Sequence, residues 1–307
     1  MLYYVGFDIG GTKCAISLGK VEGETLSVID RYEVATTPHP TDTFSQFDAR
    51  INDWITAYSV SKAGISCGGP LDSTNGVILC PPNLNENWYD FDVVSFVKTR
   101  YNLTAKLEND ANACAVAEWL FGAGKNCKNM IFLTFGTGLG AGLILDGKLY
   151  SGTNGNAGEV GHIRLAPLGP IGYNKSGSAE GFCSGNGIKN LAIMRAFEQN
   201  KPIDKNVTTK EIFARANDGD QFYLSVVRES AQRFGEVLSI LIDLFNPEVI
   251  VAGGVFMRNY DFFMRELQPV LTRESLSNSL SVCKILPAKI NENIGDFGAL
   301  ALAKTIQ

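Results

Sequence analysis

The sequence predicts an α/β protein made of two halves, each opening with strands and continuing into helices. Three observations predict it. Strand-like apolar runs crowd residues 1–35 and again 130–150, and helical spacing follows each. A glycine-rich turn lies between strands in each half, at Ile9-Gly10-Gly11-Thr12-Lys13 and at Gly136-Thr137-Gly138-Leu139-Gly140. Finally, Glu248-Val249-Ile250-Val251-Ala252 reads as a buried parallel-type strand closing on Gly253-Gly254-Val255. The carboxyl end of such a strand is where ligands lie in open α/β sheets.

Residues 3–8 form a strand ending in Asp8, and Cys14–Leu18 returns as a second. The turn between them offers backbone N–H groups with no side chains in the way, which makes either an anion nest or a plain glycine hairpin. It is not a Walker A loop, because a strand and not a helix follows. A carboxylate beside such a nest, here Asp8, is where Mg²⁺ is held through water. A third strand near 27–35 leads through Pro38 and Pro40 to a helix expected at 44–58, then a buried strand at 63–67. A short helix near 93–97 and a strand edge at 106–108 precede a helix predicted from Asp110 to Leu120, rich in the good former alanine. Asp110 therefore stands where a strand gives way to a helix. Two roles suit it there: N-cap, and a general base that takes the proton of a hydroxyl in phosphoryl transfer.

The ladder Gly136–Ala141 nearly matches the dinucleotide fingerprint, but that pattern counts only when it opens a helix. Here Leu143-Ile144-Leu145 continues as strand, and Asp146-Gly147 marks a hairpin. A second phosphate-cradling turn fits better. Beyond it, Glu159 and His162 are three apart and meet on one turn. A lone histidine is commonly a structural hydrogen-bonder, yet among Asn154, Asn156 and Glu159 it also suits a pocket that reads sugar hydroxyls. The Gly/Ser-rich segment 167–187 reads as a loop carrying Glu180. Helices follow at 188–199, 209–217 and 221–245, the last with core residues at helical spacing. A strand at 281–286 and a helix at 297–305 close the chain.

Composition bounds the function. The 307 residues suffice for two domains, and 45% apolar against 19% charged content describes a globular chain with a substantial core. A net charge of −5 disfavours nucleic acid or an anionic membrane as partner. No apolar run approaches the roughly 18 residues of a membrane span, and the N-terminus lacks the basic region of a signal peptide. Seven cysteines without a C-x-x-C pair are expected to be reduced thiols of a cytoplasmic protein.

Five stretches together resemble the ROK family of sugar kinases and repressors, within the actin-like/hexokinase ATPase superfamily. Asp8-Ile9-Gly10-Gly11-Thr12-Lys13 is similar to the family's first phosphate motif, and Gly136-Thr137-Gly138-Leu139-Gly140 to its second. Leu107-Glu108-Asn109-Asp110-Ala111-Asn112-Ala113 resembles the catalytic segment. Gly158-Glu159-Val160-Gly161-His162 resembles the sugar signature, and Gly253-Gly254-Val255 the adenosine motif. The resemblance implies two actin-like (ribonuclease H-like) ATPase domains, 1–110 plus 292–307 and 111–291, with a sugar/ATP cleft between them. It implies Asp110 as general base and a sugar site of Asn83, Asn109, Asp110, Glu159, His162 and Glu180. ATP would be held by Asp8, Gly10, Gly11, Thr12, Lys13, Gly136, Thr137, Gly138, Gly253, Gly254 and Val255, with Mg²⁺ near Asp8. A homodimer is expected on the same ground.

One departure stands out. Many family members carry a cysteine-rich zinc loop, whereas the corresponding run here is Ile171-Gly172-Tyr173-Asn174-Lys175-Ser176-Gly177-Ser178-Ala179-Glu180. Structural zinc takes four ligands, so no zinc is expected. Packing and hydrogen bonds around Tyr173 are expected to hold the loop. The expected activity is ATP-dependent phosphorylation of a hexose hydroxyl, most simply the 6-OH of glucose or of a related hexose or N-acetylhexosamine. The alternative is a sugar-binding regulator or sensor. The family's regulators place a DNA-binding module before the sugar domain, for which a chain whose first strand already holds Asp8 leaves no room.

Overall fold

A computed structural model of the chain describes residues 1–290 and 294–306. The chain divides into two compact units, Met1–Lys128 with Gly142–Ala157 and Lys289–Gln307, and Asn129–Ala141 with Gly158–Ala288.

The first unit is built on strands β1 (Leu2–Ile9), β2 (Lys13–Glu22), β3 (Thr25–Ala35), β4 (Lys62–Cys67) and β8 (Thr104–Asn109), in the order β3-β2-β1-β4-β8. β1 and β2 are antiparallel, and so are β2 and β3, while β4 runs parallel to β1 and β8 parallel to β4. Alternation along β1 sorts its side chains between two faces. Val5, Phe7 and Ile9 enter a core with Phe44, Phe47, Trp88 and Leu107. Gly6 and Asp8 face the chain's closing helix, Ile294–Lys304. That helix lies so close that a side chain at Gly64 would run into its backbone at Ala299.

Helices α1 (Pro40–Ser45) and α2 (Asp48–Tyr58) replace the single helix expected at 44–58. The chain turns at Gln46-Phe47, which puts Phe44 and Phe47 edge to face, 6.3 Å between ring centres, in one aromatic core. Short strands β5 (Leu71–Asp72), β6 (Val77–Ile78) and β7 (Phe91–Asp92) make a small sheet before α3 (Val93–Tyr101). After β8 comes α4 (Asp110–Phe121), against which the closing helix packs. α4 therefore belongs to the first unit, where the sequence had suggested a cut at 110/111. The expected boundary at 291/292 lies outside the described residues.

β9 (Met130–Phe135), β10 (Leu139–Leu145) and β11 (Lys148–Tyr150) begin the second sheet, which β14 (Val249–Ala252) and β15 (Lys284–Pro287) complete in the order β11-β10-β9-β14-β15. The segment expected to be an open loop at 167–187 is largely structured, with β12 (Ile171–Gly172), β13 (Lys175–Ser176) and α5 (Ala179–Phe182). Helices α6 (Gly185–Glu198), α7 (Thr209–Asn217) and α8 (Gln221–Phe245) follow. α7 opens with a capping box of Thr208 and Glu211. β14 (Val249–Ala252) is wholly buried and parallel to both β9 and β15 (Lys284–Pro287). Between them lie α9 (Gly254–Arg258), α10 (Tyr260–Glu274) and α11 (Ser277–Val282). α11 takes the residues 281–282 that the sequence had placed in a strand. Phe135, Phe234, Phe256 and Phe263 pack as an aromatic centre under α8 and α10. The closing helix is α12. Among the described residues no helix is long and apolar enough to cross a membrane.

Candidate active site

In the first unit, the end of β1 delivers Asp8 to the turn before β2. The turn is pinned by Gly10 N–H donating to the Lys13 carbonyl (3.0 Å) and by the Thr36 hydroxyl donating to the Gly10 carbonyl (2.6 Å). A side chain at Gly11 would meet the Asn83 carbonyl oxygen, so glycine is what lets the Asn83 loop close over the turn. The Lys13 ammonium pairs with Glu33 on β3 at 2.6 Å, so the turn has the backbone of Lys13 to offer.

Asn109 is the N-cap of α4, its side-chain oxygen accepting the Ala111 N–H at 2.9 Å. That settles which residue caps. Asp110 is the first helical residue, where the N-terminal end of the helix dipole favours a negative charge. Its carboxylate also accepts the Ala111 N–H, at 2.8 Å. The Asp110 side chain is reached by solvent, yet desolvation by the surrounding protein pushes its carboxyl above the ordinary aspartate value. The Ala111 N–H and Asn109 partly offset that push. The Asn109 and Asn83 amides lie beside Gly69 and Gly68 respectively, so the structure gathers Asn83, Asn109 and Asp110 around one stretch of backbone.

Asp8 is raised to about 6 by burial first, then by the charges of Asp296 and Asp110. Asp296 is buried and bonded through Oδ2 to Arg31 Nε at 2.8 Å, while its Oδ1 has no partner among the described residues. Neither Arg31 nor Asp296 was visible as a site residue, since 265 positions separate them and no motif holds either. The raised value has a stability consequence. A carboxyl lifted from 3.8 to about 6 on folding stabilises fully below its unfolded value, and that contribution is lost as pH rises through about 6. Asp8→Asn is therefore expected to stabilise the ligand-free protein at pH 7.5 by on the order of 2 kcal/mol in urea denaturation, with little difference at pH 4. A variant less stable than wild type at pH 7.5 contradicts this.

In the second unit, Gly136 N–H closes on the Gly138 carbonyl at 3.0 Å. The start of α6 braces that turn, Gly185 N–H donating to the Gly136 carbonyl at 2.8 Å and Asn186 N–H reaching the Thr137 carbonyl at 3.4 Å. The Gly-rich stretch 181–187 gave no hint of this brace. Glu180 sits beneath the turn. Its Oε2 accepts the Leu139 N–H at 3.0 Å, and a side chain at Gly138 would stand 2.6 Å from that oxygen. Glu159 and His162 do share one turn, a 3₁₀ turn over Val160–His162 with Glu159 just before it, and 3₁₀ geometry eclipses residues three apart. Gly253, directly after β14, is the N-cap of α9, and Gly254 is its first residue. Gly254 takes φ +60, against the Phe135 carbonyl.

The run without cysteines folds as a hairpin. Tyr173 and Asn174 take left-handed backbone (φ 51 and 58), and the Tyr173 ring stands edge-on to His162 at 5.5 Å. Lys175 Nζ donates to the His162 carbonyl at 2.6 Å. The buried Ser178 hydroxyl donates to the Gly172 carbonyl at 3.0 Å and accepts the Gly181 N–H at 3.2 Å. Ser178→Ala is expected to cost about 1–3 kcal/mol through the groups it orphans, seen as a lower Tm, whereas EDTA leaves the Tm unchanged. A Tm that falls on chelation and returns with zinc contradicts that account of the loop.

A model of the ROK family matches residues 4–306. The chain belongs to the ROK family. A glucokinase of Halalkalibacterium halodurans is 30% identical over 98% of this chain and 95% of its own. A ROK family glucokinase from Streptomyces griseus, solved with glucose and AMPPNP, superposes with a TM-score of 0.77 at 29% identity, covering 99% of this chain and 100% of that one. The xylose repressor of Bacillus subtilis is 26% identical over 96% of this chain and 75% of its own. The fold is thus the two-domain, actin-like α/β fold of ROK kinases.

Proposed function

We propose that this ROK protein transfers the γ-phosphoryl group of ATP to a hexose hydroxyl, most simply the 6-OH of glucose or of a related hexose or N-acetylhexosamine, as a cytoplasmic homodimer. The observation that carries the reading is the placing of Asp110. Asn109 does the capping, which leaves the Asp110 carboxylate at the start of α4, near Asp8 and the first glycine turn. Similarity to glucokinases over nearly the whole chain supports the reaction class.

Each unit contributes its own groups. In the first, Asn83 and Asn109 hold sugar hydroxyls, and Asp110 takes the proton of the attacking hydroxyl as its oxygen bonds to the γ-phosphorus and the bond to the leaving ADP oxygen breaks. Gly10 closes the turn through its own N–H, and the backbone of Gly11, Thr12 and Lys13 offers itself to phosphate oxygens. In the second, Glu159, His162 and Glu180 read hydroxyls near the anomeric end. Gly136, Thr137 and Gly138 cradle phosphate, and Gly253, Gly254 and Val255 take the adenosine.

The donors suit Mg²⁺. Asp8 is a hard oxygen ligand crowded by two other carboxylates, a setting that favours a cation. Among the described residues no three His, Cys, Asp or Glu side chains form an all-protein metal cage, and Mg²⁺ needs none, being held by one or two carboxylates, waters and substrate phosphates. Bound there, it neutralises charge on the phosphates.

The test is ADP release with MgATP against free hexoses, N-acetylhexosamines and β-glucosides, with Asp110→Asn alongside. Turnover on one sugar, lost in the variant, is the expected result. Sugar binding by calorimetry without ADP release on any of the panel points to the sensor reading instead, which the relationship to a xylose repressor keeps in view.

A further inference from the structure

The first unit holds a second polar concavity that the proposed kinase site does not use. It encloses about 680 Å³ beside the edge strand β8, lined on one side by Leu71–Asn75 and on the other by Ser151–Gly155. That volume falls within the roughly 300–1,000 Å³ typical of small-molecule sites. Its floor is Glu108, a buried carboxylate. A buried polar group calls for an explanation, and half of this one has it. Three donors converge on Oε1: the Ser73 hydroxyl at 3.1 Å, the Asn109 N–H at 2.9 Å and Asn112 Nδ2 at 3.0 Å. Oε2 accepts no hydrogen bond from the described residues.

We propose that this pocket binds a neutral saccharide ring. The lining presents carboxylates (Glu108, Asp72), amides (Asn75, Asn154) and the Lys106 ammonium, with Leu71 and Leu79 as apolar platforms. Hydroxyls donate to the carboxylates and accept from the amides, and the C–H face of a pyranose covers the leucines. Two carboxylates against one ammonium disfavour a phosphate or other anion. The pocket also lies next to the proposed acceptor site. Asn83 and Asn109 flank Gly68 and Gly69, and the lining begins two residues on, at Leu71. Glu108 holds the N–H of Asn109, the residue before Asp110, so a ring on Oε2 is one hydrogen bond from the backbone of Asn109.

Two sources supply such a ring: the far ring of a glycoside acceptor, or a separate free sugar. The first rests on the kinase reading, so binding is measured apart from turnover. Thr153→Trp fills the pocket from an exposed loop position, and Glu108→Gln keeps the Oε1 acceptor while replacing Oε2 by a donor. Calorimetry uses glucose, cellobiose and inorganic phosphate, and each variant is checked by Tm, with Asn75→Ala in reserve. A free-sugar site gives two glucose molecules per wild-type chain and one per Thr153→Trp chain. A far-ring site gives one glucose in both but weakens cellobiose at least 10-fold in both variants, with the glucose affinity of Thr153→Trp, which touches no residue of the proposed acceptor site, within twofold of wild type. One glucose per chain with cellobiose affinity unmoved by either variant, or phosphate binding lost in Thr153→Trp, overturns the proposal. Any of these is read even if no sugar supports ADP release.

Discussion

Asp110→Asn is expected to lower kcat by about 10²–10⁴-fold, the contribution of a positioned general base, while sugar affinity by calorimetry changes by less than threefold. The asparagine keeps an oxygen to accept the Ala111 N–H, and the true cap, Asn109, is untouched. The helix start is therefore preserved, and a loss of rate reports chemistry. The pH profile is an independent check. Desolvation by the surrounding protein raises the Asp110 carboxyl above its ordinary value. A base fails once protonated, so kcat falls as pH falls, and the acid limb lies at higher pH than an ordinary aspartate gives. The variant loses that limb. A variant that retains more than a tenth of wild-type kcat, or an acid limb shared by both proteins, removes Asp110 from the role of base.

The strands, the two glycine turns and the long helix α8 were legible in the sequence because each rests on local pattern: alternation, a glycine run between apolar stretches, or 3.6-residue spacing. The places where the reading slipped share a different cause. The helix expected at 44–58 breaks because two phenylalanines must reach one core, a demand set by Phe7 on β1 and Trp88 far along the chain. The segment 167–187 looked like loop because its Gly, Ser and Asn residues are poor formers of regular structure. They are instead the residues that a left-handed hairpin, a buried serine hydroxyl and two tight helix starts require. The candidate site divides in the same way. Motif residues were readable, but their supports were not. Arg31 and Asp296 beside Asp8, and the α6 amides under Gly136, are long-range partners that no local pattern encodes.

Glu180 is the residue where those two kinds of information meet, and its substitution has the second large expected effect. The family resemblance implies a sugar contact for it. The structure gives it a further task, because its Oε2 holds the Leu139 N–H directly after the second glycine turn. A carboxylate accepting a backbone N–H is a charge-assisted bond, and orphaning such a donor costs about 1–3 kcal/mol. Glu180→Ala is thus expected to raise the sugar KM by 10-fold or more and, with no sugar present, to weaken AMPPNP binding by about 5- to 100-fold. Glu180→Gln, which retains an acceptor at the same reach, is expected to recover most of the nucleotide affinity while leaving the sugar KM high. That split separates bracing from contact. A residue acting on the sugar alone would leave AMPPNP affinity unchanged in both variants. A residue needed only for folding would lower Tm in both and give no difference between them at a temperature where both are folded. If the split appears, one carboxylate serves sugar recognition and the geometry of the phosphate turn together, and sugar and nucleotide are coupled within the second unit through a single hydrogen bond.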